Sequence, residues 1–262
     1  MRLNRIAAVI ERHVYDAKHN LERVTDTLYW PVMDIIVWGF LTLFLARHGN
    51  LRPGLISFLL GAAILWGMFR AFQRDLAVSF LAEVWSHNVI GLLATPLTLR
   101  EYLSGLLAIN LLKAIVGTAA AALVALLFYS YDFFPYLIAL LPFIFVLMIF
   151  GLAVGILVTG LIVRYTTKIQ SFTWSITGLI MPFSCVFYPV SALPGWMQPL
   201  ALALPTTQAF EGLRQVVAGG GFSWERLWAG LALDGVYLLA AVASFDALFR
   251  SARVRGLLVR IE

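Results

Sequence analysis

Charge is scarce in this chain: Asp, Glu, Lys and Arg make up 13% of its 262 residues, where a soluble domain carries about 25%. The charges that exist stand between long apolar runs, so no stretch is polar enough to build a water-soluble body. Cysteine is nearly absent. Cys185 alone cannot form a disulfide framework or a thiolate metal site within one chain, and inside an apolar run it reads as a small buried hydrophobe. There is no G-x-x-x-x-G-K-[S/T] sequence, so this chain cannot cradle ATP phosphates in a Walker loop. H-E-x-x-H is missing too, and His13, His19, His48 and His87 are scattered over an amphipathic stretch and loops. No metal site follows from that spacing, and nothing gathers Ser, His and Asp into a catalytic constellation. The N-terminus lacks a short apolar core ahead of a small-residue cleavage site, which predicts no removable signal peptide.

Apolar residues fill the remainder, at 61% of the chain with a mean hydropathy of +0.87. Runs of ~20 apolar residues are long enough to cross a bilayer as helices. Six can be marked: about Leu28 to Ala46, from Leu55 to the charges at Arg70, Ser104 to Phe128, Tyr136 to Val163, Ser171 to Tyr188, and Leu227 to Phe249. The expected fold is therefore an all-α integral membrane protein, one transmembrane domain over residues 1–262. Gly117 to Ala122 in the third run and Gly151, Gly155 and Thr159 in the fourth form small-residue faces that admit close helix packing. Ahead of the first run, Leu3, Ile6, Ile10, Val14, Ala17, Leu21, Val24 and Leu28 recur at steps of three and four. Residues 1–27 thus read as an amphipathic helix whose basic face lies on lipid head groups, with Trp30 and Pro31 marking entry to the membrane. Residues 76–102 are mixed in character, with a break at Thr95 and Pro96, and read as a surface helix outside the bilayer.

Residues 189–221 are apolar enough to enter a membrane but carry Pro189, Pro194, Pro199 and Pro205, which a straight span would not tolerate so closely spaced. The chain must turn back, through a short helix opened by Pro194 and Gly195 and a second one after Pro205. Thr206 or Thr207 can cap the second helix, and Gly219 to Gly221 can end it. Phe210, Leu213 and Val217 share one of its faces, while Glu211 and Arg214, three apart, can pair on another. The expectation is a re-entrant helical hairpin just before the last span. Irregular backbone at that depth needs protein or a water-filled cavity over it, which places the hairpin at the mouth of a pathway or a subunit contact.

Lys and Arg are distributed unevenly among the connections. Fourteen lie on the side that holds both termini, including Arg2, Arg5, Arg12, Lys18 and Arg23 at the start and Arg250, Arg253, Arg255 and Arg260 at the end, against four on the other side. By the positive-inside rule both termini are cytoplasmic and the hairpin is extracytoplasmic. The formal net charge of +5 is accounted for by this rule and by anionic lipid, so no nucleic-acid partner is implied. Asp34, Lys113 and Asp234 fall within spans, where ionisable groups are costly and mark a polar route or a structural pair. Lys113, near the middle of the third span, needs an anion, and Asp234 or Asp34 would serve. Asp246 can pair with Arg250 one turn away.

Two stretches carry a family resemblance: YPVSALPGWMQPLALALPTTQAFEGLR from Tyr188 to Arg214, and LLATPLTLREYLSG from Leu92 to Gly105. They resemble the proline-rich stretch before the last span, and the Pro-containing junction before the third, of ABC type-2 exporter permeases. The resemblance implies a permease homodimer in a bacterial-type inner membrane, docked on two separate ATPase subunits that bind ATP and Mg, with no cofactor in this chain. It implies an ATPase-coupling helix within 76–102, carried by Glu83, Trp85, His87, Asn88, Ile90 and Leu93. It further implies an exit gate built from Pro189, Pro194, Trp196, Pro199, Pro205, Glu211 and Arg214. Cargo in the family ranges over lipid-linked glycans, other lipids and amphipathic drugs. Two other classes compete: a membrane enzyme acting on lipid-linked substrates with Lys113, Asp34 and Asp234 as its polar centre, and a channel or secondary transporter. The last predicts an inverted repeat, and the proline hairpin has no counterpart in the first three spans.

Overall fold

The computed structural model describes residues 3–19, 21–48, 53–85, 95–131, 134–165, 169 and 171–254. They are helical almost throughout: α1 Leu3–His19, α2 Leu21–His48, α3 Pro53–Trp85, α4 Leu99–Tyr129, α5 Phe134–Tyr165, α6 Phe172–Ile180, α7 Gln198–Leu202, α8 Pro205–Val217 and α9 Trp224–Val254. Among the described residues, four helices are long and apolar enough to cross a membrane, over Thr27–His48, Glu101–Tyr129, Pro135–Tyr165 and Trp224–Val254. These coincide with the expected first, third, fourth and sixth spans.

The small-residue faces are where helices meet. A Cβ on Gly117 would stand 3.0 Å from the Thr27 carbonyl oxygen and 3.2 Å from Pro31, so α4 lies directly on α2 there. Gly155 meets Leu76 and the Gln73 carbonyl in the same way, which seats α5 on α3. Contacts further along fix the directions. Tyr129, at the end of α4, donates its hydroxyl to Ile36 O at 2.9 Å, so α2 and α4 run the same way. Gly230 lies against Val146 and Gly160 against Phe245, so α9 follows α5, as α3 does. Two helices thus rise while three descend, as alternating spans require. Between α3, α5 and α9 sits an aromatic core, with Phe69 stacked on Phe150 at 5.7 Å and Phe150 edge-on to Tyr237 at 5.2 Å.

Three expectations change. The stretch expected as one interfacial helix over residues 1–27 is helical over Leu3–His19 and again from Leu21, with Asn20 outside the described residues. Moreover, α1 is docked rather than lying free: Val9 fills the hollow over Gly105, and Arg5 pairs with Glu101 at 3.3 Å and donates to Pro96 O. The mixed segment from Leu76 does not begin a new surface helix either. It continues α3 to Trp85, because Leu76, Ala77 and Leu81 are buried in the same packing as the residues before them. The apolar run from Ser171 to Tyr188 is helical only through Phe183, a nine-residue α-helix and a three-residue 3-10 turn. At 1.5 Å per residue that is about 18 Å, short of a ~30 Å hydrocarbon core. Pro182 tightens the last turn, and Cys185, at a positive φ of 50°, takes the chain out of helix.

Helix α8 reaches the core through Gly212, whose Cβ position falls on the fully buried Phe143 ring. A Gly212→Leu substitution must displace that ring, and overpacking of this kind costs about 1–3 kcal/mol. We expect a lower midpoint of thermal unfolding in detergent for this variant, and little change for Gly195→Ala, where a Cβ meets nothing within 4 Å.

Candidate functional site: the proline hairpin and the charged crevice

Every proline between α6 and α8 stands where its missing N–H is not needed. Pro182 and Pro199 occupy first turns, Pro189 is an extended cap, and Pro205 opens α8 behind an extended Leu204. Pro194 starts a turn closed by the Met197 N–H on its carbonyl at 2.8 Å. The cap expected from Thr206 or Thr207 is not made, because both hydroxyls serve the preceding segment. Thr206 donates to Ser184 Oγ at 2.8 Å and Thr207 to Phe183 O at 2.9 Å, and both threonines are wholly buried.

The expected Glu211 and Arg214 pair forms at 2.6 Å. It does more than staple one helix. Glu211 Oε1 accepts the Val190 N–H at 3.0 Å, and Arg214 Nη2 donates to Cys185 O at 3.1 Å and Tyr188 O at 3.0 Å. The same guanidinium lies over the Phe58 ring of α3, 4.5 Å from its centroid. A planar donor fork can hold a carboxylate, two carbonyls and an aromatic face together; an ammonium cannot. Below it, Phe210 and Leu213 are fully buried, as the helical spacing predicts. Gln208 completes the fastening by donating to Leu202 O at 2.8 Å and accepting from Arg226 of α9 at 3.0 Å. Trp38 of α2 stacks on Phe187 at 3.9 Å. The hairpin therefore sits where α2 and α4 end and α3, α5 and α9 begin. Its other edge is uncovered, with Trp196 70% and Leu200 53% exposed.

A second group of charges lies between α2, α3 and α4. Asp34 pairs with Arg70, Arg74 meets Asp75 at 3.4 Å, and Lys113 faces the same crevice. The free volume is about 20 Å³, room for a water or so and not for cargo. The structure thus brings Asp34 and Lys113 together but not Asp234, which lies on α9 against α5 and α8. Asp234 is 1% exposed, and neither of its carboxylate oxygens has a hydrogen-bond partner among the described residues. The pairing expected between Lys113 and Asp234 is not formed, and Asp34 is taken by Arg70. Lys113 lies near the middle of the Glu101–Tyr129 span, as expected. It stands one turn before Gly117, which packs on Thr27, where the apolar stretch of α2 begins. The apolar part of α4 runs 29 residues, about 43 Å and longer than a bilayer needs, so a cation in its middle can be level with a membrane boundary. The Asp246 and Arg250 pair is not made among the described residues.

Glu83 and Trp85 fall in the last turn of α3, while His87, Asn88, Ile90 and Leu93 lie outside the described residues. Reading the sequence misses two contacts. Thr98-x-x-Glu101 is a capping box, with Glu101 N–H on Thr98 Oγ1 at 3.3 Å and Thr98 N–H on Glu101 Oε2 at 3.1 Å, and its pattern is readable by eye. Arg70 carries no such signal, since a charge ending an apolar run reads as solvated.

A family model for the ABC-2 type transporter matches residues 18–217, from the last turn of α1 to the last residue of α8. The chain is also 27% identical over 204 residues, 75% of its own length and 69% of theirs, to two curated proteins of Mycobacterium tuberculosis, strains CDC 1551 / Oshkosh and ATCC 25618 / H37Rv. Each is described as a probable doxorubicin resistance ABC transporter permease protein DrrC.

Replacing Arg214 removes the donor from three part-buried acceptors, on Glu211, Cys185 and Tyr188, and each group left buried and unsatisfied costs about 1–3 kcal/mol. We expect Arg214→Met to expose the 185–198 segment to limited proteolysis and lower thermal stability, and Arg214→Lys to recover less than half of the loss. Full recovery by lysine would show that charge alone, not the fork, closes the hairpin.

Proposed function

Because the chain belongs to the ABC-2 type transporter family, and is the transmembrane permease subunit of an ABC transporter, we propose that it works as an exporter. Two copies line one path, each resting on a separately encoded ATPase subunit that supplies the ATP and Mg. Six spans cross a bacterial inner membrane with both termini in the cytoplasm, α6 and the chain after it forming the short fifth. The hairpin closes the outer end of the path. The observation that carries this reading is the Arg214 and Glu211 clasp, which holds a proline-broken, apolar segment against α3 while leaving Trp196 and Leu200 uncovered. A segment built this way is rigid enough to act as a lid and apolar enough to face lipid or a second copy. ATP binding moves the coupling segment, with Glu83 and Ile90 on it, and biases the spans between two arrangements.

The cargo is an amphipathic molecule taken from the membrane or the cytoplasm. The crevice at Lys113 is too small to hold it, so the path runs between copies and not through one. The relatives' description, which names doxorubicin resistance, favours an amphipathic drug over a lipid-linked glycan. The reading as a membrane enzyme loses its polar centre, since Asp234 stands apart from Lys113 and Asp34.

Purification in mild detergent should recover an ABC ATPase with this chain, and Glu83→Lys combined with Ile90→Asp should abolish stimulation of its ATP hydrolysis without loss of the spans. Recovery of no ATPase, or stimulation untouched by both changes, overturns the proposal. Orientation has its own test, because the native Cys185 is fully buried. A Trp196→Cys variant should react with a membrane-impermeant maleimide in intact cells, and reaction only after lysis would place the hairpin inside.

A further inference from the structure

Between α1, the first turns of α2 and the outer face of α4 runs an apolar groove of about 260 Å³, lined by Val14, Leu28, Ile109 and Val116. Among the described residues, Lys18 and Lys113 are the only charges on its wall. Neither is paired with a carboxylate among the described residues. Lys18 is exposed, whereas Lys113 is half-buried, its stem shared between this groove and the charged crevice behind it.

A half-buried ammonium level with Thr27, whose neighbouring carboxylates across the crevice, Asp34 and Asp75, are already held by Arg70 and Arg74, is costly unless something from outside supplies the negative charge. The wall of the groove has almost no other polar surface, so what lies along it must be hydrocarbon. One object that brings both is a phospholipid of the surrounding bilayer with a net negative head group. We propose that the groove is a binding site for one anionic phospholipid, its phosphate held by Lys18 and Lys113 and an acyl chain laid along Ile109 and Val116. Charge complementarity favours this occupant over a helix of a second copy, because a helix filling the groove would have to carry a carboxylate at the level of Thr27. Among the described spans, Asp34 is already bound to Arg70. The exposed Asp246 stands beside Phe245, which packs on Gly160, about two turns nearer the end of its span than Thr27 is level with. The lipid then does for the boundary between α1 and α2 what a protein contact would: it covers the apolar floor of the groove and neutralises Lys113. The assignment does not depend on the cargo or on an ATPase partner, so it can fail while the export reading stands.

The test is native mass spectrometry of the full chain in detergent with equimolar palmitoyl-oleoyl phosphatidylglycerol and phosphatidylcholine. The wild type should retain one phosphatidylglycerol with a preference of roughly tenfold or more over phosphatidylcholine, as expected for two lysines at a head group. The Lys18→Gln and Lys113→Gln double variant should bind both lipids alike, the corresponding double arginine variant should keep the preference, and Leu112→Trp should fill the groove and lose the lipid with its charges intact. Lys18→Gln alone, at an exposed position that folding does not need, should reduce the preference part of the way. Equal retention of the two lipids by the wild type, or an undiminished preference in either Lys18→Gln or the double glutamine variant, overturns the proposal.

Discussion

Hydrocarbon offers no partner to a backbone N–H or C=O, and between Pro182 and Pro205 the chain of this membrane protein abandons regular helix repeatedly. Everything about the hairpin follows from the need to satisfy those groups internally. Arg214 takes two carbonyls that no helical N–H can reach, Glu211 takes an N–H that begins the 3-10 turn after Pro189, and two buried threonine hydroxyls bond back to the segment before it. The prolines then cost little, because each stands where a donor would have been surplus. With the polar groups closed inward, Phe210 and Leu213 can be driven against α3 and α5, and the hairpin becomes part of the body of the protein on one side. On the other side it stays apolar and bare. That division between a fastened and an open edge is what makes an outer lid a physically sensible reading.

Much of the hairpin is legible in the order of its residues. Helical spacing puts Phe210 and Leu213 on one face, and the three-residue interval puts Glu211 beside Arg214. Neither spacing can name Cys185, Tyr188 or Val190 as the further partners, because those contacts join residues more than twenty positions apart across a loop whose path no periodicity sets. The small-residue faces at Gly117 and Gly155 read as close-packing surfaces and are, but their partners Thr27 and Leu76 are again tertiary facts.

The charged residues mark the limit of such reading. Counting apolar residues puts Lys113 in mid-span because the run around it is long; its depth depends on which turn of α2 lies alongside, and that is set by the contact of Gly117 with Thr27 and Pro31. Arg70 looks like the end of a span and is the partner of Asp34. The fifth apolar run looks long enough to cross, and Pro182 with the left-handed Cys185 stops its helix short. In each case composition tells the medium, while the register between helices decides the role.

Glu101 closes the first turn of α4 and at the same time binds Arg5 of α1, with Val9 lodged over Gly105. The amino-terminal helix and the foot of α4 are therefore a single mechanical piece. Any thrust applied to the chain just ahead of Thr95 cannot travel up α4 alone. It must carry α1 with it, so α1 and the foot of α4 can only move as one.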